Sequence, residues 1–225
     1  MCNEVFTAVA TVALLTLTST SYAGVIIGGT RVIYAGDKKE ASLSVTNPDG
    51  LAYLIQSWVE PSIPGGNKAP FIITPPLYRL DKNQQNVMRI ILAGQLSQDR
   101  ESMYWLNIKS IPSVTPRDNT LQVAVKTRIK LIYRPAALKQ SSPEEQADKL
   151  RWQRTGDRLQ VTNPTPYYMN FNEIKVGTVK IDDVTFVAPG ATRSYAIPSG
   201  GTSTPVAFKL INDYGGIGVI HNVMP

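Results

Sequence analysis

The stretch LQVAVKTRIKLIYRP, residues 121–135, alternates strictly. Leu121, Val123, Val125, Thr127, Ile129, Leu131 and Tyr133 fall on one face, and Gln122, Ala124, Lys126, Arg128, Lys130, Ile132 and Arg134 on the other. A period of two is the signature of a half-buried β-strand. At about 3.3 Å per residue the run before Pro135 predicts an extended segment of about 45 Å, much longer than a usual strand. Such a strand outruns its own sheet. The overhanging part offers unpaired backbone groups and a row of apolar side chains to another protein, which is the physics of strand addition.

Short apolar, β-branched runs precede it at 25–34, 41–46, 53–60, 71–74, 86–93 and 103–111. They are punctuated by turn residues at 35–37, 47–50, 64–67 and 115–119. With 121–133 they fill one sandwich of immunoglobulin size. After Pro135 the pattern stops, and residues 139–149 are polar, predicting a linker or short helix with Ser142 as its N-cap. A second series follows at 159–162, 168–176, 179–181, 184–187, 193–197, 206–211 and 218–223. The phrase LSVTNP (residues 43–48) recurs as LQVTNP (159–164), each copy leading into tyrosine and another apolar strand. The fold predicted is all-β: two tandem immunoglobulin-like β-sandwich domains with Asn-Pro opening the same turn in each. The boundaries expected are 24–138 for the first domain, 139–148 for the linker and 149–225 for the second.

Residues 5–17 are largely apolar yet too short to span a bilayer, and Ser21-Tyr22-Ala23 supplies the small residues of a cleavage site. Residues 1–23 are therefore expected to be a signal peptide, although no Lys or Arg stands among the first four residues. The single cysteine, Cys2, leaves with it, so a secreted protein of this kind must be held by its cores. No later segment is apolar enough to cross a membrane. The formal charge of +6 comes from scattered residues and is expected to be a solvated basic surface, with no nucleic-acid partner.

Catalytic chemistry finds few residues to use. The chain has one histidine, His221, and no cysteine beyond Cys2, which excludes Cys–His pairs and Cys/His metal clusters. The Gly-Gly pairs lack the spacing and following lysine of a phosphate-binding loop, and Asp182-Asp183 fits a turn. Neither an enzyme, a cofactor nor a metal is expected.

Five separated motifs carry a resemblance: IKLIYRP (129–135), INDYGG (211–216), NPTPYY (163–168), TPPLYRL (74–80) and QDRES (98–102). Together they resemble the periplasmic pilus assembly chaperones of the PapD type, of the chaperone/usher pathway. The resemblance implies a boomerang of two immunoglobulin-like domains with a cleft between them. It implies that the chain binds pilus subunits by donor-strand complementation in the periplasm and delivers them to an outer-membrane usher. It implies that Leu121, Val123 and Val125 fill the subunit's groove, and that Arg31 and Lys130 hold its terminal carboxylate in the cleft. It further implies that Glu101, Arg134 and Asp213 form an ion network between domains, that Pro75 or Pro76 follows a cis bond, and that the free protein caps itself as a homodimer. The short connection between 111 and 121 is similar to that of chaperones of rod-like adhesive pili. Strict alternation sets Lys130 on the face opposite the donor residues. The alternative function, a secreted two-domain pilin or adhesin subunit, predicts an N-terminal donor segment and commonly a disulfide, where this chain has Gly24-Val25 entering a strand and a single cysteine.

Overall fold

The structure, a computed structural model, describes residues 24–113, 121–199 and 205–225. The expected signal peptide, the turn at 115–119 with the connection to residue 121, and the Gly200-Gly201 pair lie outside the described residues.

Nine strands precede Pro135: β1 (Ile26–Ile27), β2 (Arg31–Ala35), β3 (Glu40–Thr46), β4 (Tyr53–Pro61), β5 (Phe71–Thr74), β6 (Leu77–Leu80), β7 (Gln85–Leu92), β8 (Ser102–Pro112) and β9 (Val125–Arg134). They form two sheets, ordered β1-β3-β7-β5 and β2-β9-β8-β4-β6. Their inner faces share a core that includes Tyr34, Val45, Ile55, Met88, Ile90, Leu106 and Leu131. The run at 25–34, expected to be one strand, divides. β1 pairs antiparallel with β3 and β2 pairs parallel with β9 in the other sheet. Gly28 permits the crossover, since a Cβ there would lie 2.0 Å from Ser44 Oγ. Its amide donates to the Ser44 carbonyl as the chain passes.

Eight further strands build the second sandwich: β10 (Arg151–Thr155), β11 (Arg158–Thr162), β12 (Met169–Val176), β13 (Val179–Lys180), β14 (Phe186–Val187), β15 (Thr192–Ala196), β16 (Val206–Leu210) and β17 (His221–Val223). One sheet is β10-β11-β15, the other β13-β12-β16-β17 with β14 also on β12. Leu159, Val161, Met169, Ile174, Val206 and Phe208 lie in its core. Between the sandwiches the chain makes 3-10 turns at Ala136–Leu138 and Glu144–Lys149. Ser142 Oγ accepts from the Glu145 amide at 3.4 Å while Glu145 Oε2 accepts from the Ser142 amide at 3.2 Å, the reciprocal arrangement of a capping box.

The repeated Asn-Pro phrase is a repeated structure. Asn47 Nδ2 donates to the carbonyls of Leu51, Leu80 and Asp81, and Asn163 Nδ2 to those of Tyr167, Val187 and Ala188. The side-chain oxygen of each accepts from the amide two residues on, Asp49 or Thr165. Both asparagines are fully buried. Each staples a turn by satisfying carbonyls that would otherwise be buried without a partner.

Candidate functional site

β9 carries the site, and its ladders define where it is closed and where it is open. It pairs with β8 from Val125 through Tyr133 without a break in register. On its other edge β2 begins only at the Arg31–Lys130 pair. Along residues 125–129 that edge has no ladder partner among the described residues. The expected strand of 121–133 is shorter than predicted: residues 121–124 lie ahead of the ladder, which begins at the Ser110–Val125 pair.

The β8–β9 register has no bulge, and past Lys130 both faces of β9 are buried, Ile132 and Arg134 lying on the second. Ile129, Leu131 and Tyr133 are buried in the first core. The same row continues outward as Val125, Val123 and Leu121, which are 52%, 59% and 86% exposed. An apolar row that passes from core to solvent is an unfinished sandwich edge. The opposite face carries charge. Arg128 sits over the Trp105 ring at 4.3 Å and Lys126 over Trp58 at 5.0 Å, and both approach Glu60.

Farther along this second face the chain meets the other sandwich. Arg134 Nε donates to Glu101 Oε1 at 2.7 Å, and its two terminal nitrogens donate to Asp213 at 2.6 and 2.8 Å. The planar fork thereby serves acids from both domains. Glu101 is buried, and its other oxygen accepts from the Tyr168 amide at 2.7 Å. Burial pushes the Glu101 carboxyl up, against the Arg134 charge and the Tyr168 amide. Nearby, Gly215 at φ 87° comes so close to Thr30 that a Cβ would lie 2.1 Å from Thr30 Oγ1. Glycine is needed there both for the left-handed backbone and for the contact.

Arg31 and Lys130 are register partners at the start of the β2–β9 ladder. Arg31 Nη1 donates to the Ile211 carbonyl at 3.2 Å, and Lys130 Nζ donates to Asn170 Oδ1 at 2.5 Å. Burial and the Arg31 charge push the Lys130 ammonium down to about 8. Burial also lowers Arg31, with Asp213 opposing.

The residues singled out in sequence thus fall into three neighbouring groups on β9, the start of β2 and the loops that meet them. The resemblance did not single out Asn170, Phe186, Tyr168, Thr30 or Gly215. Tyr168 closes the NPTPYY motif and Asn170 lies two residues beyond it, which was a usable signal. Thr74-Pro75 is the cis bond expected at the Pro-Pro pair. Among the described residues no helix is long and apolar enough to cross a membrane.

Residues 24–139 match the family model of the pili and flagellar-assembly chaperone PapD N-terminal domain, and residues 145–220 that of the PapD C-terminal domain. The chain is 43% identical over 203 residues to the chaperone protein FocC of Escherichia coli, covering 88% of each. It is 43% identical over 201 residues to the chaperone protein FimC of E. coli K12, covering 87% of this chain and 82% of that one. Among solved structures, a Salmonella enterica SafA pilin in complex with the SafB chaperone is similar at 36% identity and a TM-score of 0.83, covering 92% of this chain and 99% of the other. The periplasmic chaperone SfaE is similar at 39% identity and a TM-score of 0.75, covering 88% of this chain and 98% of that one. With both domain models matched in order and relatives this close along most of its length, the chain belongs to the PapD family of pili assembly chaperones.

Proposed function

We propose that this chain is a periplasmic chaperone that binds and folds pilus subunits by donor-strand complementation and hands them to an outer-membrane usher. The observation that carries this is the junction on β9. An exposed apolar row, Leu121, Val123 and Val125, runs into a strand whose free edge ends at two half-buried cations, Arg31 and Lys130. A subunit lacking a strand gains about 1.5–3 kcal/mol for each aliphatic side chain that the donor segment buries in its groove, and the backbone ladder sets register. Its terminal carboxylate is held by charge-assisted hydrogen bonds from Arg31 and Lys130, each about twice as strong as a neutral one. Glu101, Arg134 and Asp213 fix the angle between residues 24–138 and 149–225, with 139–148 as linker. The role is non-enzymatic and draws on no covalent step, cofactor or metal. In the free protein the same exposed row is available to a second copy, giving a self-capped homodimer.

The rival reading, a two-domain pilin or adhesin subunit, is not favoured, since chaperone domain models match both sandwiches. The test is co-purification from the periplasm with a co-expressed tagged subunit. Lys130→Ala and Arg31→Ala are expected to fold and to lose subunit capture. Unchanged recovery by both variants sinks the anchor assignment.

A further inference from the structure

Lys130 is not left waiting in solvent. The β12–β14 ladder sets Asn170 directly across from Phe186, and both meet the lysine from the second domain. Asn170 Oδ1 accepts from Lys130 Nζ at 2.5 Å, and the Phe186 ring lies 5.0 Å from the same nitrogen. Asn170 is 3% exposed and held at two further points. Its Nδ2 donates to the Tyr168 carbonyl at 3.3 Å, and its own carbonyl accepts from the Ile211 amide at 2.7 Å. The Ile211 carbonyl in turn accepts from Arg31. One residue therefore touches one anchor cation through its side chain and reaches the other through its neighbour's peptide. The orientation of the amide follows from chemistry, because an ammonium only donates and a carbonyl only accepts.

We propose that Asn170 is a positioning residue of the anchor, whose side-chain oxygen stands on Lys130 in the place the incoming carboxylate takes, so that capture exchanges one acceptor for another. This rests on the anchor reading of Arg31 and Lys130. A neutral amide suits the task better than either alternative. An apolar residue leaves a half-buried ammonium with no acceptor from the second domain, which disfavours its charged form. An acid forms a charge-assisted bond that a subunit carboxylate has to displace, where the amide's weaker bond yields to it. The charged groups around Lys130 are chiefly cationic. Arg31 pairs with it from β2, Arg128 shares its face of β9, and the Arg193 guanidinium on β15 lies 5.6 Å from the Phe186 ring. β8 brings Trp105 opposite it, and the nearby acid, Asp213, is committed to Arg134. Tyr168 adds a phenol that burial pushes up. The amide oxygen thus supplies the acceptor that none of these groups provides, and the low Lys130 value puts its loss of charge within a measurable range.

The test titrates a synthetic peptide of alternating Val and Ser residues with a free C-terminal carboxylate, and its C-terminal amide twin, into the full chain from about pH 6 to 9. The parent is expected to prefer the carboxylate, with the preference fading as pH rises through about 8. Asn170→Leu is expected to move that midpoint down by about 1 pH unit and, with no acceptor left to displace, to tighten carboxylate binding about tenfold at pH 6 while leaving the amide peptide unaffected. Asn170→Asp, the same size, is expected to shrink the preference at pH 6 and to move the midpoint up. Opposite shifts from two variants at one buried site are not produced by general loosening. If both retain the parent's preference and midpoint while Lys130→Ala abolishes the preference, the role of Asn170 is overturned and the anchor stands. If Lys130→Ala retains the preference, the anchor reading falls and this proposal falls with it.

Discussion

Arg134→Ala removes the cation that bridges the two sandwiches, and the cost can be worked from the burial of what it leaves behind. Glu101 has a fully buried side chain and keeps only the Tyr168 amide as a donor. Breaking a buried ion pair by deleting one partner costs about 3–5 kcal/mol, because the other charge remains buried. Asp213 is 26% exposed by side chain and regains water, so its share is at most about 1 kcal/mol. The total expected is about 3–5 kcal/mol, falling on the interface and leaving both cores intact. The pH dependence follows. Burial already raises the Glu101 carboxyl above its ordinary 4.5, and losing Arg134 raises it further. A carboxyl with a raised folded pKa contributes stability that is fully present below the unfolded value and lost as pH rises through the folded value. The variant should therefore be most impaired at neutral pH and recover toward about pH 4.5. Urea unfolding followed by tryptophan fluorescence measures this, with each domain's transition fitted separately, and small-angle scattering reports the interdomain geometry. The double variant Glu101→Gln/Arg134→Met should lie within about 1 kcal/mol of the parent, since it strands no charge. A loss below about 1 kcal/mol at neutral pH with an unchanged scattering curve, or a double variant as impaired as the single, refutes the reasoning.

Two further outcomes are expected. Val123→Glu and Val125→Glu should leave stability within about 0.5 kcal/mol, both sites being more than half exposed, yet abolish subunit capture in co-purification; full capture by either variant removes that residue from the donor row. Asn163→Ala should cost more than Asn47→Ala, at about 1–3 kcal/mol per stranded carbonyl, because two of the three bonds from Asn163 Nδ2 are buried against one of three for Asn47. Urea midpoints compare them, and equal losses or the reverse order count against the stapling account.

Legibility in the sequence followed the physics of each element. Strands with a buried face, such as β3, β5, β7 and β8, were visible because alternation records burial. β6 and β10 were missed for the converse reason. Each pairs on one side only, and LYRL and RWQRT spend their outward positions on charge, as edge strands do. The division between β1 and β2 was hidden because Gly28 breaks no alternation while allowing the chain to change sheets. The ion network was legible only through resemblance, since periodicity says nothing about which distant acids an arginine will reach across a domain boundary. Asn170 escaped because β12 carries two asparagines and nearness to NPTPYY does not say which of them meets a cation; its role lies in what stands opposite.

How one strand would serve a partner's core with one face and its end with the other, as proposed, follows from the ladder geometry. Strict alternation puts Leu121, Val123 and Val125 opposite Lys130, and no bulge in the β8–β9 register relieves this. A strand added along the open edge at 125–129 lies in the plane of the sheet, between the two faces. Its side chains and those of the donor row share the apolar face, while its terminus, at the level of the backbone, meets the point where β2 begins. β2 runs parallel to β9 and starts at Arg31 beside Lys130. An added strand in line with β2 and parallel to β9 therefore ends head-on at Arg31 with its carboxylate, and an antiparallel one would present an amino group to two cations. The repulsion in the second case, set in a buried cleft, selects the first. Under the proposed anchor and donor roles, the cations would fix the direction of the incoming strand as well as its end, and the apolar row would fix its depth.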